Sequence, residues 1–168
     1  LLAITKATAF HTLPSSFPHV PLSILPLAAG TPVVIASYGA QFLESNQIHS
    51  GLFPTIVFGS VKDIFTFAST TIDVLALGGS AAAQEGSSGG GVSDMSNKLV
   101  GTITTSTVTG NTDTRSLSAI TASYIRAAYA GETGSALDIL LDQPTSISIS
   151  DFAPKIPALE AIITPQLH

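Results

Sequence analysis

The sequence contains no cysteine and no tryptophan, and charged residues make up only 10% of its 168 residues. Without cysteine, neither a disulfide framework nor a thiolate metal site can form. The six Lys and Arg residues and the formal net charge of −5 argue against a nucleic-acid-binding surface, which needs clustered basic groups. No run of about 18 or more apolar residues is present, so the sequence predicts no membrane-spanning helix.

Hydrophobic residues make up 45% of the sequence, which argues against a disordered chain, because such chains are poor in apolar residues and rich in charge. The length is sufficient for one domain with a core. It is short for a pair of β-barrels, since β-barrel proteins commonly need about 200–250 residues. Because the chain begins at Leu1 and not at methionine, we expect a processed product or a fragment.

Short segments of β-type composition, separated by Gly, Pro, Asn or Asp, recur along most of the chain. We predict an extended crossing segment over 10–30, followed by strands over 33–38, 47–53, 55–58, 64–69, 72–77 and 98–106. Repeated strands at this spacing are typical of a sandwich or a barrel, not of a βαβ sheet.

The pattern changes near Ser116. Apolar residues at three- and four-residue spacing predict a helix over 118–129, with Gly131 as its stop. We predict a further helical turn over 135–141 and a half-buried strand over 145–150. The tail 152–168, which contains three prolines, is predicted to be an appended arm.

The segment Gly86-Ser87-Ser88-Gly89-Gly90 has the composition of a nucleophile turn. A serine hydroxyl becomes a good nucleophile when a neighbouring base removes its proton. The oxyanion that then forms needs backbone N–H groups already aimed at it. Glycines permit the unusual dihedral angles of such a turn and let a substrate approach closely. Ser88 is therefore the candidate catalytic residue, and the N–H groups of Gly86 and Ser88 are the candidate oxyanion hole.

Two other interpretations of the glycine-rich segment exist. A flexible Gly/Ser linker has the same composition, and the segment taken alone does not distinguish the two. A phosphate-binding loop is disfavoured, because no lysine follows the glycines and no helix pattern begins there.

The ordered set of segments around Ser88 resembles the trypsin-like serine proteases, in particular the bacterial Deg-type and related members. In that family the nucleophile turn leads through a hairpin into a strand similar to Leu99-Val100-Gly101-Thr102-Ile103. Segments 30–39 and 47–52 look like the first two strands of the family's second barrel, and the helix from Ser118 lies where its closing helix begins. The resemblance covers roughly residues 1–130.

This resemblance implies an all-β fold, namely a six-stranded Greek-key barrel that forms the second barrel of a trypsin-like double barrel, with a C-terminal helix and an appended tail. Residues 1–29 would be the end of the first barrel and the crossing segment. Residues 30–130 would be the C-terminal β-barrel with its closing helix, and residues 131–168 a C-terminal extension.

The implied function is that of a serine endopeptidase, which hydrolyses a polypeptide substrate through an acyl-enzyme on Ser88. No cofactor and no metal are expected, the location would be extracytoplasmic or secreted, and nothing indicates the oligomeric state. By position, Ala82 would lie at the base of the substrate pocket, with Thr104, Thr105 and Ser106 along its wall. Because none of these residues is charged, we expect small or apolar substrate side chains to be preferred.

The sequence departs from the family pattern beside the nucleophile. Gly91 stands where the family usually has proline, and Ser87 replaces the usual Asp or Asn. Because Ser87 carries no charge, activation by a freed N-terminal ammonium group is not expected.

The base and the orienting carboxylate of the triad are also missing. In this family the His and the Asp precede the Ser, and the Asp directly precedes a strand similar to Leu1-Leu2-Ala3-Ile4. We therefore expect both residues to lie before Leu1. The remaining candidates are predicted to be structural or solvated: His11, His19, His49, His168, Asp63, Asp73 and Glu85.

Loss of the triad histidine lowers turnover by a factor of about 10⁶, so the chain alone is predicted to be inactive. Two other functions stay open. One is a non-catalytic trypsin-fold relative that binds peptides. The other is an unrelated all-β surface or structural protein, which the low charge and the abundance of Ser and Thr favour.

Overall fold

A computed structural model of the chain describes residues 18–39, 44–51, 53–67, 71–106, 110–111 and 114–166. The strands are β1 (Pro32–Ser37), β2 (Thr55–Ser60), β3 (Asp63–Phe65), β4 (Val74–Ala76), β5 (Gly91–Asp94), β6 (Leu99–Ser106) and β7 (Leu117–Thr121). The helices are α1 (Ser45–Gly51), α2 (Ala122–Thr133), α3 (Leu137–Asp142), α4 (Thr145–Phe152) and α5 (Ile156–Ile163), with 3₁₀ turns at Ala153–Lys155 and Thr164–Gln166.

Two compact units make up the chain, one of His19–Ala128 and the other of Leu1–Pro18 with Tyr129–His168. The first unit contains the whole sheet and the candidate site, and the described part of the second is helical. The predicted boundaries after residues 29 and 130 stay predictions. In the described part of the chain, the helices are too short or too polar to cross a membrane.

All seven strands belong to one antiparallel sheet, in the order β2-β1-β5-β6-β7-β4-β3. The two outermost strands, β2 and β3, follow one another in the chain and are separated only by Val61 and Lys62. The Val61 N–H donates to Thr31 O at 2.9 Å and the Lys62 N–H donates to Ala76 O at 2.7 Å. Because these consecutive residues bond to opposite ends of the sheet, the sheet must curl until its two edges meet.

The core lies on the inner face of this curled sheet. Alternate residues of β1 and β7 are buried, as expected of strands with one face toward a core. The fully or nearly fully buried apolar side chains that pack together are Val33, Ile35, Val61, Leu75, Leu77, Ala82, Ala83, Val92, Val100, Ile103, Leu117 and Ala119. The core therefore extends directly into the loop that leads to Ser88, through Ala82 and Ala83.

The predicted strand over 47–53 is wrong, because residues Ser45–Gly51 form helix α1. The cause is a capping interaction: the side-chain Oε1 of Gln47 accepts a hydrogen bond from the Glu44 N–H at 2.9 Å. A Gln three residues into a helix that bonds back to the N-cap N–H is half of a capping box. This local interaction outweighs the β-type composition of the segment.

The predicted strand over 145–150 is also wrong, since Thr145–Phe152 form helix α4. Ile147 and Ile149 alternate with serines, but they are 48% and 40% exposed. Their spacing therefore does not mark a buried sheet face. The helix begins directly after Pro144, whose carbonyl oxygen accepts the Ile147 N–H at 2.9 Å.

The helix predicted over 118–129 begins later and ends later than expected. Residues up to Thr121 belong to β7, and the Thr121 Oγ1 caps α2 by accepting the Tyr124 N–H at 3.1 Å. The helix continues through Gly131 and stops before Gly134, which has a φ of +71°. Gly134 donates its N–H to Ala130 O at 2.9 Å, so this glycine is the C-terminal stop and Gly131 is not.

Candidate functional site

The glycine-rich segment forms a series of tight turns tied to its own backbone. The Ala83 N–H donates to Ser80 O at 2.9 Å, and the Ser87 N–H donates to Gln84 O at 3.1 Å. Gly86 and Gly89 have φ values of +88° and +86°, a region that side chains disfavour and glycine adopts freely. The segment therefore has the turn geometry predicted for a nucleophile loop and differs from an open linker.

Ser87 anchors this loop from inside. Its side chain is 1% exposed. The hydroxyl donates to Ala82 O at 2.5 Å and accepts the Gln84 N–H at 3.1 Å. A buried hydroxyl that satisfies two backbone groups stabilises one conformation of the turn. The Asp or Asn expected at this position in the trypsin-like proteases is thus replaced by an uncharged group that is fully used within the loop.

Ser88, one residue further, points the other way and is exposed. Its Oγ donates a hydrogen bond to the backbone oxygen of Thr104 at 3.2 Å. The N–H groups of its neighbours Ser87, Gly89 and Gly90 are all bonded to carbonyl oxygens. Among the described residues, the N–H groups of Gly86 and Ser88 have no such partner. These are the same two N–H groups that the sequence predicts for an oxyanion hole.

Gly90 fixes the loop against strands β1 and β6. A Cβ atom at this position would lie 2.6 Å from Ala36 O and 2.8 Å from both Ile103 Cδ1 and Ser37 Cβ. The Ile103 N–H also donates to Gly90 O at 2.8 Å. Only glycine allows the backbone this close, so Gly90 holds the end of the turn on the regular part of the sheet.

A cavity of about 510 Å³ opens beside Ser88. One side is glycine-rich backbone and the other is formed by the end of β1 and the start of β2. The lining residues are Ala36, Ser37, Tyr38, Pro54, Ile56, Gly86, Ser88, Gly89, Gly90 and Gly91. The cavity therefore contains both candidate oxyanion-hole residues and the candidate nucleophile.

Arg115 supports the loop from a position that the sequence did not indicate. Its side chain is 6% exposed, and its guanidinium donates from Nη1 to Ala83 O at 2.8 Å and from Nε to Gly110 O at 3.1 Å. Ser37 adds a longer contact, from its Oγ to Ala82 O at 3.5 Å. The backbone of residues 82–83 is thus held by side chains from β1 and from the segment before β7.

Of the predicted substrate-pocket residues, Ala82 and Thr104 are not among the described residues that line this cavity. Ala82 is fully buried in the core. Thr104 is exposed on β6 and contributes its backbone oxygen to the bond with Ser88. Thr105 and Ser106 belong to β6, and their side chains lie outside the described residues. The substrate pocket at these four positions stays a prediction.

In the described structure, no histidine lies beside Ser88 as a base. His19 is exposed and does not line the cavity. His49 belongs to α1, with its side chain outside the description, while His11 and His168 lie outside the described residues.

The acidic residues have structural roles or face solvent. Asp73 is buried, and its Oδ2 accepts the Phe67 N–H at 2.6 Å. The Asp63 Oδ1 accepts a hydrogen bond from the N–H of the next residue, Ile64. Glu85 is exposed. Over the described ranges, no three His, Cys, Asp or Glu side chains come together as they would to hold a metal ion.

Comparison with known proteins gives distant structural matches only. No family model matches the chain, and no curated protein matches it significantly. Two inactive forms of the Mycobacterium tuberculosis protein Rv3671c, one of them a serine-to-alanine mutant and the other described as a protease, each give a TM-score of 0.49. Their identities to this chain are 17% and 18%, and 75% of this chain is covered in both matches.

The chain spans 58% and 59% of the length of these two matched chains. The finding is a distant structural similarity to a protein described as a protease, and it assigns no activity to this chain.

Sequence reasoning missed the residues that form the apolar side of the cavity. The patterns of 33–38 and 55–58 predict strands, which places Tyr38 and Ile56 at strand ends. Only the pairing of β1 with β2, in which Ala36 lies opposite Ile56, brings these residues together. The sequence did not indicate a role for Arg115 either, because a lone arginine in a polar segment is typical of a solvated side chain.

Proposed function

We propose that the chain carries the nucleophile and oxyanion-hole half of a serine endopeptidase site, with Ser88 as the residue that forms the acyl-enzyme. One observation carries the proposal. Ser88, whose side chain is exposed, and Gly86 line one cavity, and the backbone N–H groups of both residues lack a described hydrogen-bond partner. Nucleophilic acyl transfer needs this combination, because the attacking oxygen and the donors for the oxyanion must face the same carbonyl group.

The chemistry would proceed in two steps. The Ser88 Oγ attacks the carbonyl carbon of a peptide bond while a base accepts its proton, and the N–H groups of Gly86 and Ser88 donate to the carbonyl oxygen as it becomes negative. The amine product leaves with the proton, and water then hydrolyses the acyl-enzyme. Since the Ser88 hydroxyl now donates to Thr104 O, it must rotate away from this oxygen to reach a base.

We further propose that the base and its orienting carboxylate come from outside the 168 residues, as the His–Asp–Ser order of the trypsin-like proteases implies. The topology supports this family. If β2 and β3 are one strand bent at Val61 and Lys62, the seven segments reduce to a closed barrel of six strands. Such a barrel would be consistent with the predicted Greek-key second barrel of a double-barrel protease.

The decisive experiment treats the full-length protein with a fluorophosphonate probe, which reacts only with an activated serine hydroxyl. We expect labelling of Ser88, loss of labelling in Ser88→Ala, and unchanged labelling in Ser96→Ala, an exposed turn serine outside the cavity. The 168-residue chain alone is expected to hydrolyse no peptide. Labelling that persists in Ser88→Ala would contradict the assignment of the nucleophile.

A second candidate is a peptide-binding relative without catalysis. The observation that favours it is the hydrogen bond of the Ser88 hydroxyl to a backbone oxygen, with no described base within the cavity lining. The reading frame upstream of Leu1 separates the two candidates. An Asp directly before Leu1 and a His in an earlier strand–loop favour the peptidase, and other residues at both places favour the binding protein.

A further inference from the structure

The cavity beside Ser88 has two chemically different sides. The first consists of Gly86 and Gly89–Gly91, which present backbone and no side chains. The second side lies at the end of β1 and the start of β2, and apart from Ser37 its side chains are aliphatic or aromatic. A peptide has the same division, because its amide groups need hydrogen-bond partners and its side chains differ in polarity. The two sides together fit one residue of a peptide whose carbonyl group lies at Ser88.

The side chains on the apolar side of the cavity are exposed to solvent. Tyr38 is 53% exposed and Ile56 is 61% exposed, and Pro54 beside them is exposed as well. Ala36 and Ile56 are cross-strand neighbours in the β1–β2 ladder, while Tyr38 directly follows β1 and Pro54 directly precedes β2. Exposed apolar side chains next to a reactive group are typical of ligand sites.

Among the described residues, the lining includes no charged side chain. A charged substrate group entering the cavity would lose hydration and gain no counter-charge, which is unfavourable. An apolar group would cover Ile56, Pro54 and the ring of Tyr38 and remove apolar surface from water. The volume of about 510 Å³ falls in the range of about 300–1,000 Å³ that is common for ligand cavities.

We propose that this cavity selects substrates with an uncharged, apolar side chain adjacent to the scissile bond, and that Tyr38, Pro54 and Ile56 are its specificity-determining residues. The inference rests on the proposed function, since it takes Ser88 as the attacking residue. It places selectivity on β1 and β2, separate from the predicted pocket at Ala82 and Thr104–Ser106.

Strand β2 supplies a matched control. Phe58 lies two residues after Ile56, on the same face of the strand, and is 77% exposed. It does not line the cavity. Ile56→Asp and Phe58→Asp therefore introduce the same charge at two exposed positions of one strand, and only the first changes a residue of the cavity lining. Circular dichroism and urea unfolding of both variants check that the fold is retained.

The test measures peptide binding to the 168-residue chain carrying Ser88→Ala, so that turnover plays no part. Two acetylated pentapeptide amides are compared, identical except for a central Leu or Lys. We expect the Leu peptide to bind at least about tenfold more tightly, as burial of one large aliphatic side chain allows. Ile56→Asp should abolish or reverse this preference, and Phe58→Asp should leave it unchanged.

Three outcomes overturn the inference: equal affinity for both peptides, no binding of either peptide, or the same effect of Ile56→Asp and Phe58→Asp. Failure of the proposed function is distinguishable from these. If the full-length protein is not labelled by the fluorophosphonate but the Leu preference and its dependence on Ile56 persist, the cavity binds apolar peptides without catalysis. If Ser88 is labelled and the preference does not depend on Ile56, only the specificity assignment is wrong.

Discussion

Two adjacent serines in the loop have opposite environments and opposite expected roles. Ser87 is buried and bonds to the Ala82 oxygen and the Gln84 N–H, whereas Ser88 is exposed and bonds only to Thr104 O. The alternation follows from the turn, which directs consecutive side chains to opposite sides of the backbone. The first serine stabilises the loop, and the second is available for chemistry.

Replacement of each serine by alanine should separate these roles. Ser87→Ala removes two hydrogen bonds of the buried hydroxyl, to Ala82 O and from the Gln84 N–H, although the Gln84 N–H keeps Ala82 O as an acceptor. We expect a loss of about 1–3 kcal/mol in the free energy of unfolding, at about 0.5–1.5 kcal/mol for each bond. Ser88→Ala removes one exposed hydrogen bond, and we expect a change within about 1 kcal/mol. Urea denaturation monitored by circular dichroism measures both values. Equal destabilisation by the two substitutions would contradict the assigned environments.

The residues of the candidate site differ in how far the sequence reveals them. Ser88 and Gly86 follow from local composition, because a nucleophile turn needs its glycines close in sequence. Arg115 does not, since its guanidinium bonds to carbonyl oxygens of Ala83 and Gly110 that any residue type could supply. Every residue type has a backbone carbonyl oxygen, so the sequence does not show which of these oxygens a side chain will bond to. Such side chains are identified only in the folded structure.

At the scale of elements, several strands were predictable and helix boundaries were not. β1, β2, β4 and β6 lie within one or two residues of their predicted positions or inside them, because β-branched residues are frequent there. β7 has a regular alternation of buried residues, but its residues from Ser118 were predicted as helix. The errors at 47–53 and 118–121 have one cause. Both helices begin at capping interactions, from Gln47 and Thr121, that composition and periodicity do not register.

The two glycines at the end of α2 should respond differently to alanine. Gly131 lies within the helix, and a Cβ there meets nothing within 4 Å, so Gly131→Ala should stabilise the protein by about 0.5–1 kcal/mol. Gly134 has a φ of +71°, so Gly134→Ala should destabilise it by about 1–2 kcal/mol. Thermal and urea unfolding give both values. Stabilisation by Gly134→Ala would show that the helix does not stop there.

At the scale of the whole molecule, the C-terminal helical segment, residues 146–166, differs from the sheet because it has no buried side chain. Among residues 146–166 only Ser148 is even partly buried. The apolar side chains that stay at least 40% exposed are Ile147, Ile149, Phe152, Ile156, Leu159, Ile162 and Ile163. These residues add apolar surface and little to the stability of the fold.

Removal of residues 145–168 should therefore change the free energy of unfolding by no more than about 1 kcal/mol, the value of the lost bond from Gln143 to Ser148. The truncated chain should bind less of the dye ANS, which reports exposed apolar surface. Urea unfolding and ANS fluorescence test both expectations. A truncated chain that is strongly destabilised would mean that the segment contributes to the core.

The connection through Val61 and Lys62 also constrains how the chain assembles. β5–β6 and β6–β7 pair neighbours in sequence, but β1 must find β5 and β4 must find β7 across several intervening elements. Val61 is bonded on the β1 side and Lys62 on the β4 side, so neither half of the sheet is complete before the other. Such long-range pairing raises the contact order, and we expect folding in the range of about milliseconds to seconds that is typical of all-β domains.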